Sequence, residues 1–338
     1  MNVLFAPDYR PGNPYQANLA TALESTGGCT VSFPSGYRRG LPLARMLRDV
    51  RPDLLHLHWP EAYCDHRGPA GFARQWRLAL DLALAGRTAP YVMTAHNLWP
   101  HHLPRTAGLR FSLGRAYRGA RAVIAHSAEA ARLVGEQWGV PSEAIRVIPH
   151  GNLVEHLPTP VDRPGEAPFA LNFGVIAPYK GLEELIACWR RHRPGLPLRI
   201  VGIVNDPDYP PRLARLVDGD EIIQLRPGKL ADEDLAATVS AAKVVIINHS
   251  AGLTSGVASL ARSLATNILL PARLAAVDLM EPHPSVFRFE SLQTDFPRKL
   301  AAALQTPRQP IDPHWWRATS WENIAGITLD LYRTAVGG

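Results

Sequence analysis

Residues 171–185 read LNFGVIAPYKGLEEL, and this stretch does most to decide the fold. Its apolar first half predicts a buried strand, the segment from Gly174 to Gly181 predicts a turn, and the residues after Gly181 predict a helix. A strand-to-helix turn presents unpaired backbone N–H groups and the positive end of the helix dipole, and Lys180 adds a mobile positive charge. The stretch is typical of a phosphate site, although an ordinary turn with a solvated lysine has the same pattern.

The same alternation of buried strand and amphipathic helix recurs through the chain. Strands are predicted at Val3–Ala6, Leu54–His58, Tyr91–Ala95, Ala122–Ala125, Ile145–Pro149, Ala170–Phe173, Leu198–Gly202, Ile222–Leu225, Val244–Ile247 and Ile268–Leu270. The alternation favours parallel sheets, so the predicted class is α/β with two doubly wound, Rossmann-like domains. We predict an N-terminal domain at 1–155, a linker at 156–168, a C-terminal domain at 169–312, and a C-terminal helix at 313–338 that packs against the N-terminal domain.

Composition limits the class of protein. The 338 residues are 46% hydrophobic, which is enough for two domains with their own cores. Cys29, Cys64 and Cys188 lie far apart without metal-ligand spacing, so we expect reduced thiols and no metal cluster. The sequence contains no signal-peptide pattern and no apolar run of membrane-spanning length, which predicts a cytoplasmic protein.

The positive charge is concentrated in the first half of the chain. Residues 1–150 contain 17 arginines against 10 carboxylates, whereas the remainder is close to neutral. This excess could attract a diphosphate-bearing acceptor or the anionic inner face of the cytoplasmic membrane, although a solvated basic face is the simpler interpretation for any single arginine. Nucleic-acid binding is not expected, because no recognition module of that kind is present.

Two strand ends in the N-terminal domain carry histidines beside aromatic and polar residues. Ligands of open α/β sheets bind at the carboxyl ends of the strands, and a sugar needs aromatic faces together with paired hydrogen-bonding groups. The loop after the first strand is also long and rich in glycine and proline. The residues predicted to bind an acceptor or sugar are Gly12, Asn13, His58, Trp59, Asn97 and Trp99, and those predicted to take a proton are Glu61 and, second, His96.

A second phosphate-binding segment is predicted after the strand at Val244–Ile247. Thr254 or Ser255 is suited to cap the following helix, and Gly256 allows a ligand to approach the backbone closely, although any helix can begin with Thr-Ser-Gly. Together with the first stretch, the predicted phosphate-binding residues are Gly174, Tyr179, Lys180, Thr254, Ser255 and Gly256.

These motifs resemble the GT-B glycosyltransferases, and among them the GDP-mannose-dependent β-mannosyltransferases of xanthan-type exopolysaccharide assembly. The resemblance rests on the lysine turn at 173–181, on LHLHWPE at 55–61, on TAHNL at 94–98, and on Thr254-Ser255-Gly256. It implies two Rossmann-like domains facing a cleft. It also implies transfer of a mannose- or glucose-type hexose from a GDP- or UDP-linked sugar to the hydroxyl of a saccharide, a lipid-linked saccharide or a small molecule, without a metal or other cofactor.

Two departures from the broader group bear on mechanism. Many retaining members have two glutamates eight residues apart where this chain has Leu253 and Ala261, and a basic residue where it has Ala177. The missing carboxylates favour an inverting enzyme. A retaining hexosyltransferase and an inactive partner subunit that only binds nucleotide sugar remain alternatives, whereas a nicotinamide dehydrogenase is disfavoured because no GxGxxG fingerprint follows a strand. The sequence leaves the nucleobase, the sugar, the acceptor and the oligomeric state open.

Overall fold

A computed structural model of the chain describes residues 1–11, 13–37, 39–64, 71–100, 103–154, 167–204, 206–249, 252–274 and 283–337. The chain divides into two compact units, Met1–Gly151 with Arg317–Gly338, and Asn152–Trp316. Each unit contains a parallel six-stranded sheet with flanking helices, which confirms the predicted α/β class. The predicted linker at 156–168 lies almost entirely outside the described residues.

The first unit is built on strands β1 (Asn2–Ala6), β2 (Thr30–Ser32), β3 (Leu54–Leu57), β4 (Tyr91–Thr94), β5 (Ala122–Ala125) and β6 (Ile145–Val147). Their order across the sheet is β2-β1-β3-β4-β5-β6. Leu57 pairs with Ala6 on one side and Met93 on the other, so β1, β3 and β4 end at the same level. The side chains that follow these strands therefore meet at one edge of the sheet.

The helices of the first unit are α1 (Pro14–Ser25), α2 (Pro42–Val50), α3 (Gly71–Ala85), α4 (Ala107–Gly119), α5 (Ala128–Trp138) and the C-terminal helix, which is α12 in chain order (Trp321–Gly337). The C-terminal helix packs on α1. Its Trp321 and Tyr332 are buried in one hydrophobic cluster with Phe5, Tyr15 and Leu19. The last segment of the chain therefore completes the core of the unit that the first segment begins.

The second unit is built on strands β7 (Ala170–Ile176), β8 (Leu198–Val204), β9 (Ile223–Pro227), β10 (Val244–Ile246), β11 (Asn267–Pro271) and β12 (Val286–Phe289). Its helices are α6 (Leu182–His192), α7 (Tyr209–Val217), α8 (Asp232–Ala241), α9 (Gly256–Ser263), α10 (Phe296–Gln305) and α11 (Pro313–Ala318), the last of which continues into the first unit. The strand order is β12-β11-β10-β7-β8-β9. The order reverses between β7 and β10, and this switch point is where open α/β sheets bind ligands.

The sequence analysis does not predict two strands, β2 and β12, and both are the outermost strands of their sheets. In β2 Thr30 is exposed and its neighbours are half-buried, and three of the four residues of β12 are also half-buried. Edge strands that are only partly covered do not need the continuous apolar run that marks a central parallel strand. Among the described helices, none has the length and apolarity needed to span a membrane.

Candidate functional site

A small recess at the carboxyl ends of β3 and β4 brings together three of the six predicted acceptor-binding residues and both predicted bases. It is lined by His58, Trp59, Pro60, Glu61, Met93, His96, Asn97, Pro100, Leu113 and Tyr117. Its free volume is about 10 Å³, which is room for about one water molecule. The recess therefore has space for a single hydroxyl group beside Glu61 rather than for a whole sugar ring.

Glu61 is the titratable group of this recess best suited to take a proton. It lies in the short 3-10 turn Pro60–Tyr63 that follows β3. Burial raises the pKa of its carboxyl from 4.5 to about 7, because a desolvated carboxylate is less stable than the neutral acid. A base with a pKa near the working pH is the most effective one.

His58 and His96 are both buried and close to each other. Nδ1 of His58 lies 3.2 Å from Nε2 of His96, and the Trp59 ring stacks on His96 at 4.1 Å between ring centres. Burial lowers the pKa of both imidazoles well below the usual value, and neighbouring histidines lower it further. Both rings are therefore neutral at physiological pH, and His96 is a weaker base than Glu61.

The two histidines belong to a larger buried cluster that the sequence analysis missed. His56 lies within β3 itself, and His126 and His150 follow the neighbouring strands β5 and β6; all three are buried. The signal was present in the sequence, because four consecutive strands are each followed within a few residues by a histidine. Sequence reasoning examined only two of those strand ends, and so it recognised only His58 and His96.

Tyr332 of the C-terminal helix contacts this cluster at His56. Its hydroxyl lies 2.5 Å from Nδ1 of His56, whose Nε2 lies 2.7 Å from the hydroxyl of Thr94. Burial lowers the pKa of His56 to about 3. Among the described residues, no group of three or more side chains has an arrangement that could hold a metal ion.

Other predicted acceptor residues have local structural contacts. The Asn13 side chain accepts a hydrogen bond from the backbone of Tyr15 at the start of α1. Trp99 packs against Trp138 and Arg105 and does not line the recess. Asn97 does line it, and its backbone oxygen accepts a hydrogen bond from the Tyr117 hydroxyl. Gly12 lies outside the described residues.

In the second unit, the lysine turn lies at the switch point between β7 and β10. Pro178–Lys180 form a 3-10 turn, and Gly181 begins α6 in the left-handed conformation that favours glycine, with φ 62°. Nζ of Lys180 lies 3.3 Å from Nδ1 of His249, which follows β10. Burial lowers the pKa of Lys180 to about 8. The ring of Tyr179 lies beside the ammonium, at 5.1 Å.

The second predicted phosphate segment opens α9. Ser255 caps the helix by accepting a hydrogen bond from the backbone of Ala258, and the buried hydroxyl oxygen of Thr254 has no hydrogen-bond partner among the described residues. Gly174 has φ 116°, and a side chain there would press on Val257 in the first turn of α9. Glycine at 174 thus lets the positive end of this helix approach β7.

Lys180 and the start of α9 therefore lie at the same end of the second sheet. Two groups that bind one anion must lie close together in this way. The sequence analysis assigns no role to His249. The spacing after β10 does not show that the His249 ring lies against Lys180, because that contact depends on the pairing of β7 with β10.

Comparison with known proteins identifies relatives of the chain. The model of the family described as Glycosyltransferase Family 4 matches residues 3–152. The GDP-mannose:glycolipid 4-β-D-mannosyltransferase of Xanthomonas campestris pv. campestris is 31% identical over 301 residues, which cover 85% of this chain and 81% of that protein.

Solved structures with the same fold cover all or nearly all of the chain. The crystal structure of HepE from Anabaena in complex with UDP and glucose has a TM-score of 0.66 and 16% identity, with 100% of this chain and 98% of that chain covered. The sucrose-phosphate synthase of Thermosynechococcus elongatus has a TM-score of 0.70 at 16% identity, with 98% of both chains covered. At this level of identity the likeness establishes the fold, which is GT-B.

Proposed function

This chain belongs to the glycosyltransferases, in the family that includes the GDP-mannose:glycolipid 4-β-mannosyltransferase of Xanthomonas, and from that membership we propose that it transfers mannose from GDP-mannose to a hydroxyl of a lipid-linked saccharide. The observation that carries the proposal is the match to this relative along most of both chains. UDP-linked and glucose-type donors, and saccharide or small-molecule acceptors, are the alternatives that the experiments below distinguish.

The second unit holds the sugar donor through its diphosphate. Lys180 supplies a positive charge, and the hydroxyl of Thr254 and the backbone N–H groups at Ser255 and Gly256 supply hydrogen bonds. The positive end of α9 adds a further favourable field. As the bond between the sugar and the phosphate breaks, negative charge grows on the departing diphosphate, and these groups stabilise it without a metal ion.

The first unit supplies the base. Glu61 takes the proton from the acceptor hydroxyl while the oxygen forms a bond with the anomeric carbon. The electron pair of the breaking carbon–oxygen bond leaves with the nucleoside diphosphate, and attack from the opposite side inverts the configuration. His58 and Asn97 orient the sugar, and Trp59, which is half-buried beside His96, offers its remaining surface to the sugar ring.

The second unit gives a further reason to favour inversion. Leu253 and Ala261, which occupy the places of the two glutamates of many retaining relatives, are both buried. An apolar buried pair cannot supply the carboxylates of that donor site. A product with retained configuration, determined by NMR of the purified glycoside, would overturn the inverting mechanism.

A panel of GDP, UDP, TDP and ADP and their sugar derivatives, followed by thermal shift, tests the proposed function. We expect GDP and GDP-mannose to raise the melting temperature, and Lys180→Ala to weaken binding about tenfold or more because an ion-assisted hydrogen bond is lost. Lys243→Ala is the matched control. Lys243 is exposed and immediately precedes β10, so it lies at the end of the strands opposite to the predicted phosphate site. A response to no nucleotide would count against the proposal, and binding without transfer would favour an inactive partner subunit.

A further inference from the structure

The outer face of α3 and α4 has a charge pattern unlike the rest of the first unit. Residues 71–121 contain eight arginines, no lysine and one carboxylate, that of Asp81. Asp81 is buried, and its carboxylate accepts hydrogen bonds from the backbone of Leu43 and Ala44 at the start of α2. No acidic side chain therefore offsets the arginines on the described surface of these two helices.

The same face exposes three large apolar side chains close to one another. Trp76 is 40% exposed, Leu80 one turn later on α3 is 56% exposed, and Phe111 on α4 is 44% exposed. The rings of Trp76 and Phe111 pack together with their centres 4.9 Å apart. Single exposed apolar residues are ordinary on a protein surface, whereas a contiguous patch marks a surface that binds something.

Beyond this patch the face continues into a groove between the two helices. The groove has about 300 Å³ of free volume, and its walls are apolar at Ala79 and Ala83 and basic at Arg87, Arg115 and Arg118. Arg118 is held in place by a hydrogen bond to the backbone oxygen of Trp138. Among the described residues, no carboxylate lies within ion-pair distance of Arg87 or Arg115.

One end of this face, at the first turns of α3 and α4, lies near the recess that holds Glu61. Leu113 and Tyr117, on the inner side of α4, line that recess, whereas Phe111 and Arg115 point outward from the same helix. The 3-10 turn that bears Glu61 contacts both α3 and α4. The groove, whose wall includes Tyr91 at the start of β4, lies toward the opposite end of the strands, so only the Trp76 end of this face is near the proposed base.

We propose that this face, defined by Trp76, Leu80, Phe111, Arg87, Arg110, Arg115 and Arg118, docks the enzyme on a bilayer that contains anionic phospholipids. The two aromatic rings enter the interface, where Trp76 combines an apolar body with a polar N–H and Phe111 adds apolar area. The arginines bind headgroup phosphates, and the groove accommodates one headgroup. The inference rests on the proposed function in one respect: a lipid-linked acceptor gives the enzyme a reason to work at a membrane.

Co-sedimentation with vesicles tests the docking surface on the full-length protein, with no sugar donor or acceptor present. We expect binding to vesicles of phosphatidylcholine containing phosphatidylglycerol, and weak binding to phosphatidylcholine alone. Arg110→Gln with Arg115→Gln should lower the partition coefficient about tenfold or more. Arg39→Gln with Arg146→Gln is the matched control, because both arginines are exposed in the first unit but lie away from this face.

A second pair of variants tests the apolar part. Trp76→Ser with Leu80→Ser should weaken vesicle binding, whereas Val147→Ser with Val336→Ser, which are equally exposed elsewhere in the first unit, should not. Circular dichroism and the melting temperature establish that each variant is folded. Absence of binding to anionic vesicles, or equal losses in face and control variants, would overturn the proposal, as would a dimer that only the Trp76/Leu80 variant dissociates.

The two proposals fail in different ways. The nucleotide thermal shift and transfer to a short water-soluble acceptor do not depend on the membrane, so face variants should leave both unchanged. Normal transfer with no vesicle binding would reject the docking surface alone. Vesicle binding by a protein that responds to no nucleotide would reject the proposed function instead.

Discussion

At the scale of single residues, burial acts in opposite directions on the two predicted bases. Desolvation raises the pKa of a carboxyl and lowers that of an imidazole. Glu61 therefore has a pKa of about 7, whereas the pKa of His96 is far below its usual value. This contrast supports Glu61 as the base.

Glu61→Gln should reduce kcat by about 100-fold or more, because the amide cannot accept the acceptor proton. Donor affinity, measured by thermal shift with the nucleotide, should stay unchanged. Glu143→Gln, which replaces an exposed carboxylate of the same unit, is the control and should leave kcat as it is. Full transfer activity in Glu61→Gln would exclude this residue as the base.

The pH dependence of kcat/KM should be bell-shaped. Glu61 must be ionised, so the rate should rise with pH through about 7. Lys180 must be protonated, so the rate should fall as pH rises through about 8. Glu61→Gln should remove the acidic limb from the residual activity and leave the alkaline limb in place. An acidic limb that persists in this variant would assign that limb to another group.

Chelation should not affect transfer, because Lys180 and the start of α9 supply the positive charge that the departing diphosphate needs. The measurement is the initial rate after prolonged dialysis against EDTA, compared with the rate after added Mg²⁺ or Mn²⁺. A rate that falls on dialysis and returns with one of these ions would contradict the metal-independent mechanism.

At the scale of elements, the C-terminal helix depends on one glycine of the first unit. A Cβ at Gly151 would overlap the buried ring of Trp321 at the start of that helix. Sequence reasoning predicted a helix over this segment from its apolar spacing. The close approach of Gly151 to Trp321 is not visible in that spacing, because 170 residues separate the two positions.

Gly151→Ala should destabilise the protein by about 1–3 kcal/mol, because the added methyl group overpacks the contact with Trp321. Gly326→Ala is the matched control on the C-terminal helix itself, where a Cβ meets no other atom. That change should raise stability by about 0.5–1 kcal/mol, because alanine is the better helix former. Thermal denaturation followed by circular dichroism measures both. Equal melting temperatures for the two variants would contradict this account.

At the scale of the whole molecule, the buried histidine cluster makes stability depend on pH. The folded-state pKa values of His56 and His126 are lowered to about 3, whereas an unfolded histidine titrates near 6.5. Below about pH 6.5 the unfolded chain therefore binds more protons than the folded one. The free energy of unfolding falls by up to about 1.4 kcal/mol per pH unit for each such histidine, and the full contribution is present above that pH.

The melting temperature should accordingly drop between pH 7.5 and pH 5.5. His126→Gln should reduce the corresponding loss of unfolding free energy by about 1 kcal/mol, because one fewer imidazole is protonated on unfolding. His192→Gln with His314→Gln, two exposed histidines, should leave the loss unchanged. A loss of the same size in His126→Gln would show that the cluster does not govern the pH dependence.

Much of the fold could be predicted because its signals are local. Central parallel strands are buried on both faces, so runs such as Leu54–Leu57 and Val244–Ile246 are visible in the sequence, whereas the half-exposed edge strands β2 and β12 are not. The sequence also predicts that polar side chains meet where parallel strands end. In the structure Glu61 and His96 line one recess, and Lys180 and Thr254 lie at one switch point.

The sequence by itself determined the α/β class, the glycosyltransferase resemblance and the strand ends where chemistry is expected, because apolar runs and turn motifs are properties of short segments. Only the tertiary structure decided the charge states and the contacts. Tyr332 reaches His56 across 276 residues, and the packing of such distant segments desolvates His56 and Glu61. Desolvation depends on everything that surrounds a group, so no local pattern predicts that Glu61 titrates near 7 while the histidines beside it remain neutral.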